Sequence, residues 1–260
     1  MSEFNTLFRN RIGLQKNEKI IFENLDNVLE KTAKTIPFEN LCIISNQTSD
    51  ITSENLIHKV LVKNEGGLCY ELNSILNFFL AENGFNVFLV RGVIYNNVTR
   101  EWLTLGRTHA ANLLMYEDQM YLIDTGFGGN LPLKPVPLNG ESVTSDSGEF
   151  WIKKVDNEHG DYILEIKMRH KDTIWRTGYA FDSKLPVKDV SEFDEIQKIL
   201  IESQDSPFNK SPLITRRTNT GNIMLTDTSY TQWRDGKELK EKIDNRRFKE
   251  IKKQHFGLNN

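Results

Sequence analysis

Cys69 stands two residues after a double glycine, at the head of a helical pattern. The segment reads Glu65-Gly66-Gly67-Leu68-Cys69-Tyr70-Glu71-Leu72-Asn73. Leu68, Leu72, Ile75, Leu76, Phe79 and Leu80 fall on one face at helical spacing, and Asn83-Gly84 is a stop signal. Cys69 therefore belongs to a first turn, where unpaired N–H groups and the positive end of the helix dipole favour a thiolate. The thiolate is the nucleophilic form of cysteine. The two glycines are expected to supply backbone conformations closed to other residues. The second cysteine, Cys42, lies in the apolar run 41–44 without such an approach and reads as a small buried hydrophobe.

A nucleophile needs a base, and the base needs an orienting group. Residues 110–116 and 119–123 are two apolar runs separated by Glu117-Asp118, the pattern of a hairpin. Turning there places Tyr116 opposite Gln119 and Ala111 opposite Asp124. His109 then shares a face with Asp124 as a diagonal neighbour, roughly 7–8 Å away at the backbone and within reach of a hydrogen bond. A slip of one residue would separate them onto opposite faces. The residues Cys69, His109 and Asp124 thus offer a nucleophile, a base and an orienting carboxylate. The other histidines, His58, His159, His170 and His255, read as ordinary partly buried side chains.

The elements that must position this trio follow from periodicity. Leu25, Val28, Leu29 and Thr32 form a helical stripe, and Asn55, Leu56, Val60 and Leu61 form another. Pro37 interrupts them, so residues 36–40 are expected to be a turn or extended. From residue 87 the texture becomes β: strands are expected at 87–95, 151–155, 162–169 and 175–181, with 139–149 as a long polar loop. A helix is expected over 191–202, capped by Ser191, and a short strand at 223–225. The last thirty residues carry nine Lys/Arg against five Asp/Glu and are expected to form a solvated helix face.

Composition narrows the function classes. The 260 residues are 38% hydrophobic with 15 Phe, enough for a substantial core. A net charge of −3 argues against a general nucleic-acid binder. No apolar run reaches the length of a membrane helix and the first eleven residues have no signal-peptide character, so a cytoplasmic protein is expected. Two cysteines make no disulfide framework, and no CxxC or HxxxH spacing supports a metal site.

Taken together, these segments resemble the arylamine N-acetyltransferase family. The matching stretches are Ile36-Pro37-Phe38-Glu39-Asn40, Gly66 to Asn73, Thr108-His109, Ile123-Asp124-Thr125-Gly126-Phe127-Gly128, Ser206-Pro207-Phe208-Asn209 and Arg216-Arg217-Thr218. The resemblance implies an α+β fold: an N-terminal helical bundle over 1–84 with the nucleophile, a central β-barrel over 85–190 with the His and Asp, and a C-terminal α/β lid over 191–260. It implies a Cys69-His109-Asp124 triad arranged as in cysteine proteases. It further implies acetyl-CoA as co-substrate and a thioester intermediate on Cys69. The implied acceptor is a small arylamine, arylhydrazine or arylhydroxylamine, as in xenobiotic metabolism. The backbone N–H of Tyr70 is the implied oxyanion donor. Phe38 and Phe127 match acceptor-pocket aromatics, and Thr108, Gly126, Phe127, Gly128 and Phe208 match CoA-contacting positions. The sequence leaves monomer and homodimer open.

Two positions depart from the family pattern. Glu65 stands where an arginine usually pairs with the acid of the Pro-Phe-Glu-Asn segment, here Glu39, so either the packing differs or another cation substitutes. Thr125 replaces a common valine. Two competing readings remain: a transglutaminase-like or cysteine hydrolase with the same triad, and a weakly active or non-catalytic homologue.

Overall fold

The computed structural model describes residues 1–259. Helices at Glu3–Ile12, Leu25–Thr35, Ser53–Ile57 and Cys69–Glu82 build the first layer. The Leu25–Thr35 stripe buries Leu25, Val28, Leu29 and Thr32. The Cys69–Glu82 helix is buried almost all round, with Leu72, Ile75, Leu76, Phe79 and Leu80 in the same core as Phe8. A helix apolar on every side has to be covered on every side, so this one is clamped between the other helices and a sheet.

That sheet has nine strands and curls into a nearly closed barrel. Its main path runs Val136–Pro137, Gln119–Ile123, His109–Tyr116, Asn86–Asn96, Arg176–Pro186, Gly160–Met168, Gly148–Asn157 and Val143–Thr144, all antiparallel. Residues alternate across the His109–Tyr116 strand. Ala111 and Leu113 enter the barrel core with Leu122, Tyr179 and Phe181, whereas Ala110 and Leu114 pack on the helices. The expected loop at 139–149 contains the short strand Val143–Thr144.

A second sheet has five strands, ordered Phe38–Glu39, Leu213–Arg217, Gly221–Thr226, Ser229–Arg234, Lys237–Lys242. Its first strand comes from the helical region, so Phe38 lies opposite Thr215 and Glu39 opposite Ile214. The terminal helix Asn245–Phe256 packs Ile251 and Phe256 on Ile214, Ile223 and Leu225.

Three expectations are corrected here. The charged tail does not form one solvated helix: it contributes two strands before its helix. Lys237–Lys242 is exposed along its whole length, and as an edge strand it needs no apolar alternation. The helix expected at 191–202 is α-helical over Phe193–Glu202, behind a 3-10 turn capped by Asp189, whose carboxylate accepts from the Ser191 N–H. Finally, Gly66 and Gly67 do not take left-handed backbone angles. They are needed for close approach, since a Cβ on Gly66 would lie 2.1 Å from the Pro37 carbonyl oxygen and one on Gly67 2.7 Å from Glu71 Oε2.

Candidate active site

Cys69 is the first residue of its helix. Its Sγ lies 3.6 Å from the carbonyl oxygen of Thr108, the residue before His109. Leu68 caps the helix from an extended conformation, and its N–H donates to Glu71 Oε2 at 2.8 Å. The Tyr70 N–H has no intramolecular acceptor among the described residues, whereas those of Glu71 and Leu72 reach the Leu68 carbonyl. An N–H left open in the first helical turn, one residue from Cys69, is free to donate to a ligand.

The hairpin register is the one the sequence predicts: Tyr116 pairs with Gln119 and Asn112 with Ile123. Glu117 and Asp118 turn it with φ of 46° and 60°, a two-residue primed turn. His109 opens one strand and Asp124 follows the other, and His109 Nε2 lies 2.8 Å from Asp124 Oδ2 with both side chains buried. Burial works against a charged imidazole, but the adjacent Asp124 carboxylate and, after it, Cys69 prevail and push His109 up to about 10. Asp124 is held below the usual carboxylate range: burial opposes this, and His109, Asn73 and the Gly126 N–H overcome it.

The carboxylate of Asp124 is fully engaged. Oδ1 accepts from Asn73 Nδ2 at 2.9 Å and from the Gly126 N–H at 2.7 Å, while Oδ2 also takes the Tyr179 hydroxyl at 2.9 Å. Tyr179 comes from the Arg176–Pro186 strand, and nothing in the sequence marked it; a buried tyrosine in an apolar strand reads as core. Gly126 fits because a Cβ there would stand 2.5 Å from the Cys69 Cα. Gly128 has φ +57° and open space around it.

The expected pocket aromatics divide into two groups. The Phe127 ring lies 5.2 Å from the His109 ring and 5.1 Å from Tyr179. Phe38 pairs with Phe208 at 5.7 Å. Asn40 holds the loop carrying Phe208: its Nδ2 donates to the carbonyls of Phe208 and Ser211, and its Oδ1 accepts the Leu213 N–H. This accounts physically for the pairing of the Pro-Phe-Glu-Asn and Ser-Pro-Phe-Asn segments. A separate groove of about 630 Å³, lined by Asp26, Lys134, Glu149, Lys167 and Arg169 among others, does not include Cys69. Six of its lining charges pair with one another, Asp26 with Lys134, Glu149 with Lys167 and Asp146 with Arg169, at 3.1–3.6 Å.

The question raised by Glu65 is answered by Lys59. Its ammonium lies 2.5 Å from Glu71 Oε1 and 3.8 Å from Glu39 Oε1. Lys59 sits on a π-helical turn, His58–Val62, which follows Ser53–Ile57 and aims the side chain beneath the Cys69 turn. Burial raises Glu39, and the two acids raise Lys59 although its burial opposes them. Cys42, next to this cluster, is half-buried rather than buried as expected, and burial still pushes its thiol up to about 11, away from the reactive thiolate.

A cysteine at a helix start, a buried imidazole and a carboxylate are thus brought together by a helical layer and a barrel. The chain belongs to the N-acetyltransferase family, whose model matches residues 21–259. It is 38% identical to the uncharacterized acetyltransferase YvcN of Bacillus subtilis, over 98% of both chains. It is 32% identical to a probable arylamine N-acetyltransferase of Dictyostelium discoideum, over 88% of this chain and 83% of that one. A Bacillus cereus arylamine N-acetyltransferase, whose crystal structure reveals a Cys-His-Glu catalytic triad, superposes with a TM-score of 0.94 and 39% identity over the whole of both chains. In the present chain the acid against the histidine is an aspartate.

Proposed function

We propose that this chain moves an acetyl group from acetyl-CoA to a small aromatic amine or hydrazine in two half-reactions. In the first, the Cys69 thiolate attacks the thioester carbonyl carbon. The carbonyl oxygen gains the charge, which the Tyr70 N–H receives, and the C–S bond to CoA breaks. The departing sulfur takes the proton held on His109. In the second, the acceptor nitrogen attacks the acetyl-Cys69 carbonyl and yields its proton to His109, and the Cys69 thiolate is released with its histidine reprotonated. Asp124 keeps the imidazole oriented and supports its charged form.

Phe127, beside His109, and the Phe38–Phe208 pair are assigned to the walls of the acceptor pocket. Thr108, Gly126, Gly128 and Phe208 are assigned to the approach of CoA, and the open space at Gly128 is consistent with a ligand passing close to the backbone. The division into 1–84, 85–190 and 191–260 and a cytoplasmic setting belong to the same proposal.

The observation that carries this reading is the buried 2.8 Å pair of His109 and Asp124 beside a helix-opening cysteine. Intact-mass measurement after mixing with acetyl-CoA tests it. One acetyl adduct is expected, on Cys69, discharged by an arylamine or hydrazine and missing in Cys69→Ser. No adduct at saturating donor would instead support a hydrolase or a non-catalytic relative.

A further inference from the structure

Asn112 sits in the middle of an apolar strand, fully buried, on the face turned toward the helices. A polar side chain in such a layer must be satisfied, and this one is, in a particular order. Asn77 Nδ2 donates to Asn112 Oδ1 at 2.9 Å. Asn112 Nδ2 donates to Asn73, to its backbone oxygen at 3.0 Å and its Oδ1 at 3.3 Å. Asn73 Nδ2 donates to Asp124 Oδ1 at 2.9 Å and to the Ala110 carbonyl at 2.7 Å.

The direction of the string is enforced. Asn73 Oδ1 also takes the N–H of Thr125 at 3.0 Å and its hydroxyl at 3.3 Å. Turning the Asn73 amide over would place its oxygen against the Asp124 carboxylate and its NH₂ against donors, leaving buried groups unpaired. Thr125 thereby adds, through its hydroxyl, a bond that a valine cannot make. All three amides present their N–H ends toward Asp124, and aligned hydrogen bonds in a low-dielectric interior reinforce one another.

We propose that Asn112, with Asn77 behind it, is a positioning residue that acts through Asn73 to keep Asp124 ionised and aimed at His109. The string touches no substrate. Its effect is carried by the charge on the His109–Asp124 pair. The titratable groups facing that pair are Cys69 from the helix and Tyr179 from the barrel; the string itself is neutral. The proposal rests on the Cys69–His109 pair of the proposed function, so its test uses a reaction that needs neither acetyl-CoA nor an acceptor.

The test is the rate of Cys69 alkylation by iodoacetamide, resolved from Cys42 by peptide mass and followed from roughly pH 6 to pH 11. In the unaltered protein a step is expected where His109 gives up its proton, near 10. Asn112→Leu, close in shape and unable to donate, is expected to shift that step by about 0.5–1 pH unit. Asn77→Ala, at a half-buried position, is expected to move it the same way by less. A purely structural role would alter stability and leave the step in place. A step within about 0.2 unit of the parent in Asn112→Leu overturns the proposal while leaving the proposed function intact. If Asn112→Leu does not fold, Asn77→Ala decides by the same criterion. A parent protein with no such step overturns both the string and the Cys–His pair beneath it.

Discussion

The Lys59 ammonium grips Glu71 at 2.5 Å, and Glu71 in turn holds the N–H of Leu68, the residue that caps the cysteine helix. One half-buried cation therefore offsets two buried acids, Glu39 and Glu71, directly under the Cys69 turn. Removing one partner of such a cluster strands charge in the interior. Lys59→Met is expected to destabilise the protein by about 3–5 kcal/mol in urea unfolding. Lys59→Arg keeps the charge and is expected to lose less. A Lys59→Met protein within about 1 kcal/mol of the parent would show that Glu39 and Glu71 are neutral or solvated, contrary to their burial.

The contact between Gly126 and Cys69 leads to a second expectation. Adding a methyl group at 126 places it 2.5 Å from the Cys69 Cα, against backbone that cannot swing aside. Either the loop after Asp124 or the first helical turn must shift, and a displacement of about 1 Å at a reacting centre costs about 10²-fold in rate. Gly126→Ala should therefore lower Cys69 acylation by an activated aryl ester by about 10²-fold, with circular dichroism unchanged. Acylation within a few-fold of the parent would mean that the loop can relax away from the helix.

Asp124 and Tyr179 should be separable by the size of their effects. Asp124→Asn removes the charge that sustains the imidazolium, and a loss of about 10²–10⁴-fold in acetyl transfer is expected. Tyr179→Phe removes one of four hydrogen bonds to the same carboxylate and leaves the charge, so about a tenfold loss is expected. Steady-state rates of the two variants side by side provide the check. Equal losses would mean that the hydroxyl contributes more than orientation of the acid.

What the sequence disclosed and what it concealed follow from interaction range. The Cys69 helix was legible because its signal is local: glycines, a helical stripe and a stop. The His109–Asp124 relation was legible because a two-residue turn fixes the register of a hairpin. Tyr179 was not, since it reaches Asp124 from 55 residues away on a strand whose pattern matches plain core. Lys59 was concealed by the π-helical turn, which breaks the 3.6-residue phase used to assign it a face. The strand Lys237–Lys242 has no buried side to write an alternation. Asn112 lay inside a recognised apolar run, and only the partners brought in from the helix give it meaning.

The raised proton affinity of His109 has a consequence for stability as well as for rate. In the unfolded chain this imidazole titrates near 6.5, and in the folded protein near 10. The folded state thus binds a proton that the unfolded state releases throughout that window, so the stabilisation is complete below about pH 6.5 and is lost as the pH rises through about 10. Other groups also titrate over part of this range, which makes the comparison with Asp124→Asn the informative one. Without the carboxylate, the imidazole loses its main source of support, and the variant should lack this decline. The stability difference between the two proteins, measured by urea unfolding, is expected to be full at about pH 6 and to shrink as the pH rises toward 10. A difference that stays constant across that interval would show that His109 is not held as the imidazolium in the folded protein.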